Sequence, residues 1–222
     1  MTIHDPDVVL TDLGLALLGG FLAWRLLRHR PGESSTRPGV TIMTALASAA
    51  LFGAIFHAFF PAGTATRAGF IAWIPVSLSI LVVAATLLAL VLRVLRPWLS
   101  TRVRGTLVGV YAATFGVVVL FVDESYSTIV RFYAPTLIVF LIVAAGQGMR
   151  PGAHGWRILA IALLVSIAAA VLQQRRVAIH PVYLDHNALY HVLQGIGLVL
   201  LYLGFMRAGG SSQEPRGRRG WD

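Results

Sequence analysis

The sequence predicts an all-α integral membrane protein: a seven-transmembrane-helix bundle, amino terminus outside and carboxyl terminus cytoplasmic. Three observations predict it. Only 12% of the 222 residues are charged and 57% are hydrophobic, whereas a soluble domain carries about a quarter charged residues. Seven apolar stretches meet or approach the roughly 20 residues that a bilayer core about 30 Å thick requires. The segments between them are short and rich in Pro, Gly, Ser and Arg, the composition of turns.

In chain order the spans are Val8–Leu27, Thr41–Pro61, Phe70–Leu92, Gly105–Val122, Ser127–Ala145, Trp156–Leu172 and His186–Met206. The first follows an acidic start, Asp5 and Asp7, with no basic leader and no small-residue cleavage site, so it is expected to be retained rather than removed as a signal peptide. The second lies between the polar loop 28–40 and Pro61. The third, with Pro75 inside it, ends at the basic loop 96–104, and the fourth closes on Asp123 and Glu124. The fifth contains Pro135; it and Pro75 read as kinks in transmembrane helices. The sixth, with the fourth the shortest, ends at the polar segment 173–185, and Asp185 is placed to cap the seventh. The helical domain thus covers 1–207, and the Gly/Ser/Arg tail 208–222 reads as disordered and basic.

Charge placement sets the orientation. The net charge of +9 comes from 18 arginines with no lysine, and arginine concentrates in the first, third and fifth loops and the tail. The opposite side holds the acidic start, Arg67 alone in its loop and the Asp123–Glu124 turn, with Arg175 and Arg176 the exception. Basic loops stay cytoplasmic, which places the amino terminus outside. The same arginines meet anionic lipid headgroups, so the basic balance does not imply a nucleic-acid partner. Absence of lysine excludes Schiff-base chemistry, and absence of cysteine excludes disulfides, thiolate metal sites and a cysteine nucleophile. Arginine without lysine, amid abundant Ala and Gly, points to a bacterial inner or plasma membrane.

Ionisable residues inside spans are expensive and often functional. Here they gather at one depth. His57 lies four residues before Pro61, roughly 6 Å inside the outer boundary, and His191 lies six residues past Asp185, roughly 9 Å inside. Asp12 is about one turn into the first span, Asp123 and Glu124 close the fourth, and Arg131 sits just inside the fifth. Asn187, His191 and Gln194 recur at i, i+4 and i+7 and share one helix face. His186, five residues from His191, faces elsewhere unless the first turn is unwound. Each residue also has a structural reading: helix-to-helix hydrogen bonds for the histidines, an interfacial position for Asp12, and a headgroup ion pair for Arg131 with Asp123 or Glu124.

The string Asp185-His186-Asn187-Ala188-Leu189-Tyr190-His191 resembles the last-helix motif of the seven-helix hydrolase superfamily of alkaline ceramidases, progestin/adiponectin-type receptors and Per1 lipid-remodelling proteins. Phe52-Gly53-Ala54-Ile55-Phe56-His57 looks like that superfamily's second-span element, with His57 at its histidine. The resemblance implies hydrolysis of lipid amide or ester bonds by a zinc-activated water, with a serine and an aspartate assisting. His57 and His191 carry over as zinc ligands. Asn187 stands at the other last-helix histidine, Gly53 at the serine, and Arg67, Ala68 and Gly69 where the aspartate is expected.

Two functional expectations follow. In one, His57 and His191 hold zinc, with a shifted His186 or a carboxylate completing the set. Asp12, Asp123 or Glu124 then acts on the bound water, and Asn187, Gln194 and Arg131 line the substrate pocket. In the other, the same pocket binds a lipid or small ligand without catalysis. A transporter ranks last, because the chain has no repeated half, no pair of Gly/Pro-broken helices and no midplane charge.

Overall fold

The structure, a computed structural model, describes residues 3–29, 36–180 and 183–208. These residues form seven long helices: α1 (Pro6–His29), α2 (Thr36–Phe59), α3 (Arg67–Leu95), α4 (Thr101–Phe121), α5 (Tyr126–Gly148), α6 (His154–Gln174) and α7 (His186–Ala208). All seven are long and apolar enough to cross a membrane, and the chain is a multi-pass membrane protein. Each expected span is present. The helices run past the apolar stretches by a few residues at most ends, because a helix continues into the headgroup layer where hydropathy fades. The second is the partial exception, ending at Phe59 before Pro61. The tail expected to be disordered lies, from residue 209 on, outside the described residues.

Local chemistry sets the helix ends. Pro6 opens α1, where its missing N–H and fixed φ suit the first turn. Thr66, Ser100 and Ser125 cap α3, α4 and α5 by accepting from the backbone N–H groups of Gly69, Val103 and Thr128. Asp185 caps α7 as expected, its Oδ1 accepting from the N–H groups of Asn187 and Ala188, both at 2.8 Å. Before α3 the chain turns through Gly63, at φ +59°, and a side chain on Gly69 would strike the Gly63 carbonyl. The helices α3 and α5 run unbroken through Pro75 and Pro135.

Neighbour relations define the architecture. Packing runs α1–α2–α3–α5–α6–α7 and back to α1, a closed ring of six helices, while α4 lies outside it against α3 and, lightly, α5. Seams are tight where small residues let backbones approach. A Cβ on Gly204 of α7 would lie 2.7 Å from the Leu159 side chain of α6. The main core fills the ring toward the carboxyl-terminal face, with Leu26, Met43, Phe140, Leu159 and Phe205 at 3% exposure or less. Phe115 and Val119 of α4 join Ala84 and Ile129 in a separate small cluster. The half of the ring toward the amino-terminal face is left open.

Candidate functional site

A cavity of about 290 Å³ lies within the ring, from that half to past its middle, lined by every helix except α4. Its lining changes character with depth. Nearest the amino-terminal face are His57, Trp73, Tyr126, Gln173 and Asn187. Roughly a turn or two deeper come Asp12, Tyr190, His191, Ser166 and Gln194. Below them the walls are Ile42, Leu46, Ile80, Val83, Leu87, Leu163, Leu198 and Leu201. From Asn187 to Leu201 along α7 is roughly 21 Å at 1.5 Å per residue. The cavity is polar at one end and apolar at the other.

Asp12 and His191 form the centre of the polar end. Asp12, only 3% exposed, sets Oδ1 3.2 Å from His191 Nε2. Thr11 Oγ1 lies 3.2 Å from His191 Nδ1 and also donates to the Asp7 carbonyl at 2.9 Å. Both ring nitrogens of His191 are therefore engaged, whichever carries the proton. Gly53 makes room for this pair: a Cβ there would sit 3.0 Å from Asp12 Oδ2. The residue that stands at the serine of the hydrolase motif is thus the one that admits the buried carboxylate. One turn nearer the face, His57 lines the same cavity, with Nδ1 3.9 Å from Asp5 Oδ2.

Amides of α6 and α7 interlock beside this pair. Ser166 Oγ donates to Gln194 Oε1 at 2.9 Å, and Gln194 Nε2 donates to Tyr190 Oη at 3.0 Å. Gln173 Nε2 donates to Asn187 Oδ1 at 2.9 Å, which leaves Gln173 Oε1 buried without a hydrogen-bond partner among the described residues. Aromatic rings complete the end: Phe56 against Trp73 at 4.9 Å between centroids, and Trp73 against Tyr126 at 6.5 Å. The Trp73 indole N–H donates to the Glu124 carbonyl, which fixes the ring.

Of the residues expected in a site, Asp12, His57, His191, Asn187 and Gln194 line the cavity, and four others do not. His186 pairs with Asp185 at 3.4 Å, because the first turn of α7 stays wound and carries the ring away from His191. Asp123 lies just before α5, accepting from the Thr128 hydroxyl and from the Ser125 N–H at 3.0 Å. These bonds, Thr128's first, hold its carboxyl below the usual aspartate range, and the nearby Arg131 charge adds a little. Glu124 contributes its carbonyl to Trp73 and does not line the cavity, and Arg131 is exposed. Among the described residues no three His, Asp or Glu side chains group as a metal ion would require. As they stand, the residues present do not fit a zinc of the three-ligand kind.

Four lining residues, Gln173, Ser166, Trp73 and Tyr126, have no place among the site residues expected from the sequence, and neither do Tyr133 and Tyr190. Gln173 was expected in the loop after the sixth span, but α6 continues to Gln174, with the Gln173 amide bonded to Asn187 across the helix pair. The usable signal was the seven-residue spacing of Ser166 and Gln173, which puts both on one face of α6. The chain matches, over residues 8–209, the model of a family of unknown function (DUF6962). No curated protein and no solved structure matches it. The match takes in nearly all of the helical domain, and the chain belongs to this family.

Proposed function

We propose that this member of DUF6962 binds an amphiphilic small molecule or lipid in the cavity between its six ring helices. The single observation that carries the reading is the gradient along the cavity: hydrogen-bonding and aromatic groups at one end, aliphatic side chains over the rest of the roughly 21 Å depth. Ligand pockets generally combine an apolar lining with a few placed polar groups, and this gradient matches a molecule with a polar head and an apolar tail. The test is mass spectrometry of lipids extracted from protein purified in mild detergent, beside Ala49→Trp, which fills the cavity from α2. Wild type is expected to hold near-stoichiometric amphiphile that Ala49→Trp lacks. Equal lipid in both proteins sinks the reading.

A second reading, zinc-dependent hydrolysis of a lipid amide or ester, is favoured by one observation: Asp12, His57 and His191 line the same polar end. It needs a third ligand and release of a His191 ring nitrogen from Asp12 or Thr11. Elemental analysis of untagged protein decides it. Near-stoichiometric zinc that is lost in both His57→Ala and His191→Ala supports hydrolysis. No metal after zinc is offered leaves the binding pocket alone.

The asymmetry of arginines also supports an orientation with the amino-terminal face outside the cytoplasm, in a bacterial plasma membrane. The cysteine-free chain makes the test direct. Arg176→Cys is expected to react with an impermeant maleimide on intact cells and Arg96→Cys only after lysis, and the reverse pattern inverts the topology.

A further inference from the structure

Resting on the amphiphile-binding reading, we infer that the head group this cavity takes is an alkylammonium, an amine or quaternary ammonium, borne on a single chain. The first ground is charge. The chain carries 18 arginines, yet among the described residues none lines the cavity, and Asp12 is the one carboxylate that does. The arginines of the same face, Arg67, Arg131, Arg175 and Arg176, are all exposed. A phosphate or carboxylate head buried here meets no arginine and faces the Asp12 oxygens, and the imidazoles of His57 and His191 each already lie beside an aspartate. A cationic head favours the ionised form of the Asp12 carboxyl and pairs with it.

The second ground is the hydrogen-bonding balance. Gln173 Oε1 is a buried acceptor with no partner among the described residues, and its amide nitrogen is already committed to Asn187. Such an acceptor is costly until a donor reaches it. The position is beside the cavity's polar end, one helical turn above His191. The N–H of a protonated amine supplies that donor, whereas a quaternary ammonium has none and relies on the Asp12 carboxyl and the aromatic wall.

The third ground is the aromatic wall. Phe56, Trp73, Tyr126 and Tyr190 line the polar end together. Ring faces carry negative potential and attract cations, quaternary ammonium groups above all, and more strongly when water is excluded. Size limits the tail. At about 290 Å³ the cavity is at the small end of ligand pockets, deep and narrow, which fits one chain rather than two.

The experiment uses full-length protein in a neutral detergent and radiolabelled dodecyltrimethylammonium, competed by unlabelled dodecylamine, 1-O-dodecylglycerol and dodecanoate. The ammonium compounds are expected to bind about tenfold more tightly than dodecylglycerol, with dodecanoate weakest. Asp12→Asn is expected to bring the ammonium affinity down to that of dodecylglycerol. Dodecylglycerol or dodecanoate equalling the ammonium compounds, each still blocked by Ala49→Trp, overturns the head-group inference and leaves the cavity a binding site. Binding unchanged in Ala49→Trp overturns both. Because the ranking is made on the wild type, it decides the question even if Asp12→Asn does not fold.

Discussion

The two ends of the cavity are built on different physical principles. Toward the amino-terminal face, Asp12 with His191, Ser166 with Gln194 and Gln173 with Asn187 hold one another across helix boundaries at 2.9–3.2 Å. Toward the middle, Ile42, Val83, Leu87 and Leu201 are held by fit alone. The first arrangement is directional: removing one partner leaves another buried and unpaired. The second responds to volume and tolerates any apolar group of the right size. On the proposed reading, selectivity belongs to the polar end and room for a tail to the apolar end.

Substitutions at four positions break or sharpen this contrast, taken from the largest expected effect. Gly53→Leu drives a side chain into Asp12, whose Oδ2 already lies 3.0 Å from a Cβ at that position. Overpacking on this scale, with loss of the Asp12–His191 pair, is expected to destabilise by about 3 kcal/mol. The measurement is the unfolding midpoint in detergent, and a midpoint equal to wild type means that α2 yields easily there. Asp12→Ala, which leaves the His191 nitrogen without its partner, is expected to cost about 2 kcal/mol, and Asp12→Asn distinctly less because the amide still reaches the ring. Equal losses in the two variants would show that the pair contributes little through its hydrogen bond.

At the apolar end, Ile42→Val is expected to cost about 1 kcal/mol and leave head-group preference unchanged, since only volume is lost. A change in the ranking of chain-matched probes would contradict the division of labour. The smallest effect lies outside both ends. The Asp123 carboxyl is held below its usual range by Thr128 and Ser125. A group whose pKa is depressed by folding stabilises above its unfolded value and loses that contribution as pH falls through the folded one. Asp123→Asn is thus expected to melt slightly below wild type at neutral pH, with the gap closing below about pH 4. A gap that persists in acid would assign the effect to packing instead.

Much of this was legible in the residues, and the misses share a cause. The seven spans follow from apolar length against bilayer thickness, a constraint that leaves little freedom. Asp185 as a cap follows from its position before an apolar run. Depth along a span is also readable, and Asp12, His57 and His191, expected near one depth, line one cavity. Direction around a span is not, because a helix that is apolar on every side carries no stripe to say which face looks inward. Asp123, Glu124 and Arg131 have the right depth but belong to the edge of α5 rather than the cavity, and His186 is on the wrong side of α7. Trp73 and Tyr126 carry no signal in the sequence that separates them from other aromatics near a span end. Gln173 passed as loop, since its role depends on a partner 14 residues away.

The close-packed core beneath the cavity has a consequence for traffic. With Leu26, Met43, Phe140, Leu159 and Phe205 filling the ring below it, the cavity is a cul-de-sac whose guest leaves by the door through which it came. A ligand bound as proposed meets packed side chains, not a passage, at the far end of the cavity.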